Sequence, residues 1–274
     1  MIRRTVFFVS DGTGVTAETM GHSLLTQFEG LAFQTVTLPF VANTERAIAA
    51  REQINATALA DGIPPIVFST MIKDELRAVL RDVNGVFLDF FDAFLGPLES
   101  AFGVASSHAE GKAHGVSNIA SYTARINATN FAMANDDGSN TRDYGQADVI
   151  MIGVSRSGKT PTCLYMALQY GIYAANYPLT EEDLEADALP PALMAQQSKL
   201  FGLTIHPERL QQIRHERRPN SRYSSAAQVT YETRRAESML TRLGVPYFDT
   251  THCSVEEIGS RVLQALKLKR RVHP

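Results

Sequence analysis

Short β-branched and aromatic runs alternate with longer amphipathic stretches along most of the chain. Residues 5–9, 33–41, 65–68 and 86–88 have the first pattern and predict strands. Between them, residues 16–30, 43–58, 72–83 and 91–102 have helical spacing, with Asn43-Thr44-Glu45 as a cap for the second helix. The alternation resumes later. Strands are predicted at 149–152, 174–178, 199–204 and 246–249, and helices at 161–170, 207–217, 225–243 and 255–266. Strand–helix alternation of this kind implies βαβ units and mostly parallel sheets. The expected architecture is therefore α/β: a parallel-sheet N-terminal part, residues 1–103, followed by a P-loop kinase-like α/β domain, residues 146–274.

The stretch between these parts, residues 104–145, has a different character. Ser106, Ser107, His108, Gly111 and Gly115 mark a loop, a helix is predicted at 119–134, and Asn135-Asp136-Asp137-Gly138-Ser139-Asn140 is a turn cluster. The sequence reads as a connecting segment there. No internal repeat is visible.

One motif dominates the chemistry. Gly153-Val154-Ser155-Arg156-Ser157-Gly158-Lys159-Thr160 is Gly, four residues, then Gly-Lys-Thr, with a predicted strand before it and a predicted helix after it. Glycines let the backbone turn its N–H groups around phosphate oxygens, and the following helix points its positive end at the same anion. Lys159 is expected to reach a terminal phosphate as the catalytic cation. Thr160 is expected to offer its hydroxyl to Mg²⁺.

Other polar groups carry two readings each. Ser10-Asp11-Gly12-Thr13-Gly14 follows the first strand and opens a helix; Asp11 is an acid/base candidate there, or part of a tight turn and cap. Asp136-Asp137 reads as an exposed turn ahead of a paired-carboxylate metal site. Asp148 enters the loop strand at its far end and is expected to lie away from the phosphates. Asp249, at the end of a late strand, is a candidate for the missing acid, with a capping role the alternative. Arg209, Arg214, Arg217, Arg218 and Arg222 cluster around one helix and its exit, fit to clamp phosphoryl charge or dock an acidic partner.

Composition removes several classes. The chain has 274 residues, 44% hydrophobic and 20% charged, which is ordinary for a globular protein. A net charge of −3 argues against bulk attraction to nucleic acid or membrane. Its two cysteines, Cys163 and Cys253, have no metal-type spacing, and Cys163 is expected to be a packed hydrophobe. Without a disulfide framework, a signal-like start or a long apolar run, the expected compartment is the cytoplasm.

Several stretches together resemble one family. They are Val9-Ser10-Asp11-Gly12-Thr13-Gly14-Val15-Thr16-Ala17-Glu18, Leu38-Pro39-Phe40-Val41, Asp136-Asp137-Gly138, and the phosphate loop extended through Pro161-Thr162. Ala175-Asn176-Tyr177-Pro178, Phe201-Gly202-Leu203-Thr204, Pro207-Glu208-Arg209-Leu210 and Asn220-Ser221-Arg222-Tyr223 complete the set. The chain resembles, nearly end to end, the bifunctional regulatory proteins of pyruvate, phosphate dikinase and phosphoenolpyruvate synthase, closer to the synthase branch.

The resemblance implies two reactions. One is a serine/threonine kinase reaction that moves phosphate from ADP to an active-site threonine of the target, inactivating it. The other removes that phosphate with inorganic phosphate and releases pyrophosphate. ADP and inorganic phosphate would be substrates, Mg²⁺ the expected ion, and phosphoenolpyruvate synthase the protein partner. The same reactions on the dikinase, a small-molecule P-loop kinase, and a nucleotide sensor without chemistry remain open alternatives. A homodimer is one expectation for the assembly.

Overall fold

The computed structural model describes residues 3–108 and 119–272, in two compact units, Met1–Gly115 and Val116–Pro274. The first unit runs β1 (Arg3–Ser10), α1 (Val15–Leu25), β2 (Ala32–Leu38), α2 (Thr44–Asp61), β3 (Ile66–Thr70), α3 (Asp74–Arg81), β4 (Val86–Asp89) and α4 (Phe90–Phe102). Its four strands are all parallel, in the order β2-β1-β3-β4. Alternation along β1 explains how the sheet is covered on both faces. Phe7 and Val9 join one buried cluster with Ile54 of α2 and Leu80 of α3, while Val6 and Phe8 join another with Ala17 of α1 and Phe90 of α4.

The second unit begins with α5 (Ile119–Ala134). It continues through β5 (Val149–Gly153), α6 (Lys159–Tyr170), β6 (Ala174–Pro178), α7 (Glu181–Ala186) and α8 (Pro191–Met194). Then come β7 (Leu200–Thr204), α9 (Pro207–Arg217), α10 (Ala226–Arg242), β8 (Tyr247–Asp249) and α11 (Val255–Ala265). Its sheet is again four parallel strands, ordered β6-β5-β7-β8. Ile150 and Ile152 face a cluster with Leu210 and Leu240, and Val149 and Met151 face one with Met166 and Val262.

The two sheets share one strand order, although the sequence shows no repeat. In each, the chain leaves the first strand, forms a helix, pairs on one side and then crosses to the other. The crevice at the carboxyl ends, where the order reverses, is where open parallel sheets bind ligands. The loop after β5 occupies that place in the second unit.

Three sequence expectations change in detail. The strand expected over 33–41 stops at Leu38, because Pro39 lacks the N–H a ladder needs. The chain then turns at Phe40 (φ 57°), and the N–H groups of Phe40 and Val41 bond the carbonyls of Gly12 and Ser10 at 2.8 and 2.9 Å. The short helix α7 was not anticipated, although Thr180 and Asp183 form a reciprocal capping box at its start. Residues 119–134, read as part of a connection, form α5 and pack on α6 within the second unit. The loop expected at Gly111 and Gly115 lies outside the described residues. Among the described residues no helix is long and apolar enough to cross a membrane.

Candidate phosphate-binding site

The buried strand β5 ends at Gly153, where the chain turns with φ 154°. A Cβ at this position would lie 2.2 Å from the Leu203 carbonyl oxygen, a backbone atom of the neighbouring strand, so only glycine fits. Residues 154–158 form the loop, and α6 starts at Lys159. Its N-cap, Gly158, is left-handed and supplies no side-chain bond. The first-turn N–H groups are therefore available to an anion, and the helix dipole favours one there.

Lys159 is buried, and its Nζ donates to the Val154 carbonyl at 2.9 Å. Burial holds its pKa down to about 8; Asp137 and Asp136 pull it back up, and Arg214 adds to the lowering. The ammonium is thus folded over its own loop. Two more loop carbonyls are held from outside. Ser155 O accepts from Arg214 Nη2 at 3.1 Å, and Ser157 O accepts from Thr250 Oγ1 at 3.1 Å. Among the described residues, the buried Ser157 hydroxyl has no hydrogen-bond partner.

The acid against this loop is Asp136. Thr160 Oγ1 donates to Asp136 Oδ1 at 2.8 Å, and Asn176 Nδ2 donates to the same oxygen at 2.5 Å. Asn176, on β6, also accepts from the Asp137 N–H at 3.1 Å, so one side-chain amide grips both aspartates. The turn expected from Asp136-Asp137-Gly138 is present as a short 3₁₀ segment. The Asp136 carboxylate nevertheless meets the loop motif at Thr160. Asp137 is exposed and left-handed (φ 50°), and no hydrogen bond or ion pair of its carboxylate is found among the described residues.

Thr160 and Asp136 together present a hydroxyl and a carboxylate oxygen beside the loop. Such a pair suits Mg²⁺, which is bound through one or two carboxylates and completes its octahedron with phosphate oxygens and water. No group of three or more His, Cys, Asp or Glu gathers at one point among the described residues. The donor set fits an ion whose shell is completed by phosphate oxygens and water.

The remaining candidates have other contacts. Asp11 Oδ2 accepts the Ile72 N–H at 2.9 Å, joining the ends of β1 and β3 in the first unit. Asp249 Oδ1 accepts the N–H of Thr251 at 2.8 Å, which caps the turn after β8. Asp148 lies at the entry end of β5, bonded to the Tyr173 N–H and to Arg271 at 2.8 Å each. The arginine cluster divides: Arg209, Arg217 and Arg218 are exposed, Arg222 pairs with Glu181, and Arg214 is fully buried. Cys163 is buried, its thiol pushed up to about 12 by burial.

Sequence reasoning weighed Asp136 as a metal carboxylate behind a turn and Arg214 as one of five clustered arginines, and it did not name Thr250. Nothing in the local sequence distinguished Thr250 from any other threonine near a strand end.

The comparisons with known proteins follow the same outline. Over 270 aligned residues, the chain is 55% identical to a protein of Halorhodospira halophila, covering 98% of each chain. It is 52% identical to a protein of Pseudomonas putida, covering 98% of this chain and 99% of the relative. A Pseudomonas aeruginosa protein is 53% identical, with 98% of each covered. All three bear the name "Putative phosphoenolpyruvate synthase regulatory protein". Residues 6–263 match the family described as kinase/pyrophosphorylase, and with relatives this similar over nearly its whole length the chain belongs to that family.

Proposed function

We propose that this chain is a bifunctional serine/threonine kinase and phosphorylase that regulates phosphoenolpyruvate synthase in the cytoplasm. The observation that carries the reading is the loop 153–160 at the start of α6, with Asp136 bonded to Thr160 and the exposed Asp137 next to it in the chain, its charge felt by Lys159. The relatives' names supply the target.

In the forward reaction a threonine hydroxyl of the target attacks the β-phosphorus of ADP. The bond from that phosphorus to the bridging oxygen breaks, and AMP leaves. The threonine proton passes to Asp137, whose carboxylate has free acceptor capacity. Lys159 and the loop N–H groups stabilise charge on the transferring phosphoryl group. In the reverse reaction an oxygen of inorganic phosphate attacks the phosphothreonine phosphorus. The threonine C–O–P linkage opens at the O–P bond, pyrophosphate forms, and Asp137 returns a proton to the threonine oxygen. Mg²⁺ held by Thr160 and Asp136 would neutralise phosphate charge. The anion loop and Asp137 serve both directions, so one site suffices.

The test is incubation with phosphoenolpyruvate synthase, Mg²⁺ and ADP or ATP, reading the target's intact mass and phosphorylated residue. An ADP-dependent gain of one phosphate on a threonine, reversed by inorganic phosphate with pyrophosphate release, is the expected result. No change in mass with any nucleotide, on the synthase or on pyruvate, phosphate dikinase, would favour a metabolite kinase or a nucleotide sensor. Loss of phosphorylation in Lys159→Ala with phosphorolysis intact would refute the single site.

A further inference from the structure

Arg214 is the least expected residue of the second unit, a guanidinium with no solvent exposure. Burying such a charge is costly unless its donors are satisfied. They are satisfied in an organised way. Nη2 meets Glu232 Oε2 at 2.7 Å, and Nη1 donates to the Tyr223 carbonyl at 3.1 Å. Nη2 and Nε converge on the Ser155 carbonyl at 3.1 and 3.4 Å. The guanidinium lies 4.2 Å from the centre of the Tyr223 ring, and the Tyr223 hydroxyl is 2.9 Å from Ser155 Oγ. Gln228 fixes the other oxygen of Glu232 at 3.0 Å.

This arrangement acts on one peptide of the phosphate loop. A trans peptide places its C=O and the following N–H on opposite sides. With the Ser155 oxygen held by Arg214, the Arg156 N–H points the other way, away from the guanidinium. Arg156 itself has φ 75°, which is uncommon for a residue with a Cβ. Rotating the Ser155–Arg156 peptide would relieve that conformation and turn a carbonyl oxygen toward the anion instead. The two bonds from Arg214 oppose the rotation.

We propose that Arg214 is a positioning residue of the phosphate loop, holding the Ser155–Arg156 peptide with its N–H toward bound phosphate, with Glu232 and Tyr223 fixing the guanidinium. It acts through the loop; a fully buried side chain already committed to four bonds is not a direct phosphate ligand. The same contacts tie the loop to the turn at 222–224, which carries the exposed Arg222. The inference rests on the reading of the loop as an anion site.

The experiment measures binding of ADP and of inorganic phosphate by calorimetry, with Tm as the folding control, in wild type, Arg214→Lys, Glu232→Gln and Tyr223→Phe. Amide ¹H–¹⁵N spectra report the Arg156 N–H on addition of each ligand. Arg214→Lys keeps the charge and loses the planar fork, so affinity for both ligands should fall about tenfold or more. The downfield movement of the Arg156 amide seen in wild type should be lost with it. Tyr223→Phe retains the ring and should weaken binding less than about threefold. If Arg214→Lys does not fold, Glu232→Gln decides: weaker binding with a diminished Arg156 shift supports the proposal. A folded variant, either Arg214→Lys or Glu232→Gln, with wild-type affinity and an unchanged Arg156 shift overturns it. Wild type binding phosphate but not ADP would sink the nucleotide reading while leaving this inference to the phosphate data.

Discussion

Thr160, the last residue of the phosphate loop motif, donates its hydroxyl to Asp136 Oδ1 at 2.8 Å across 24 positions of sequence. The acid that completes the site precedes the loop in the chain. It is held there by Asn176 of β6, whose own register is set by pairing with Met151 of β5. A strand pairing therefore fixes where a divalent cation would sit.

Asp136→Asn should abolish most of the Mg²⁺ dependence of ADP binding. Isothermal titration with Mg²⁺ and with EDTA should show the Mg²⁺ enhancement reduced about tenfold, with metal-free affinity changed by less than about threefold. An undiminished Mg²⁺ enhancement in this variant would exclude Asp136 from the ion's shell.

Asp137→Asn separates chemistry from binding. With the proton acceptor removed and the shape retained, phosphorylation of the target should slow by about 10²–10⁴-fold. ADP affinity should not fall, because the negative charge that Asp137 adds to the field at Lys159 opposes bound phosphate. Equal loss of affinity and rate would make Asp137 a binding residue instead.

Lys159 predicts a pH dependence with a definite sign. Its pKa in the unliganded protein is held down to about 8, against an ordinary value of 10.5. Phosphate favours the charged form, so ADP affinity should fall as pH rises through about 8. Binding at higher pH should take up a proton, visible as a buffer-dependent heat. Folding stability should move the other way. Between pH 8 and 10.5 the unfolded chain holds the Lys159 proton more tightly, so this group's contribution to unfolding free energy rises with pH across that window. The burial cost is fully present below it. Affinity independent of pH from 7 to 9.5 would contradict the shifted lysine.

Gly153→Ala should destabilise the second unit. The added methyl meets the Leu203 carbonyl oxygen at 2.2 Å, in a backbone conformation that resists a side chain. The cost should exceed about 2 kcal/mol in urea unfolding of whatever folds. A change under about 0.5 kcal/mol would mean that β5 and β7 can separate at their ends without penalty.

Much of the fold was legible because its signals are local. Alternation along 149–152, a glycine-rich turn and a capped helix each depend on neighbours in sequence, and β5, the loop and α6 lie where those signals put them. The boundary at Leu38 was missed by three residues because the apolar run continues past Pro39, where pairing cannot. The two aspartates at 136 and 137 read as a turn, and they form one. The placement of Asp136 against the loop depends on Thr160 and Asn176, which local pattern does not connect to it.

The sequence by itself determined that this is an α/β chain with a Gly-Lys-Thr loop between a strand and a helix, and through its residues that it belongs to the kinase/pyrophosphorylase family. Only the tertiary structure decided which side chains serve that loop. Asp136 meets Thr160 from 24 residues away, Arg214 meets Ser155 from 59, and Thr250 meets Ser157 from 93. The physical reason is the parallel sheet. It brings the carboxyl ends of strands distant in the chain to one edge, so groups without a common local pattern converge there. Hydrogen bonds over such separations leave no period or spacing in the sequence, because they are set by which strands pair.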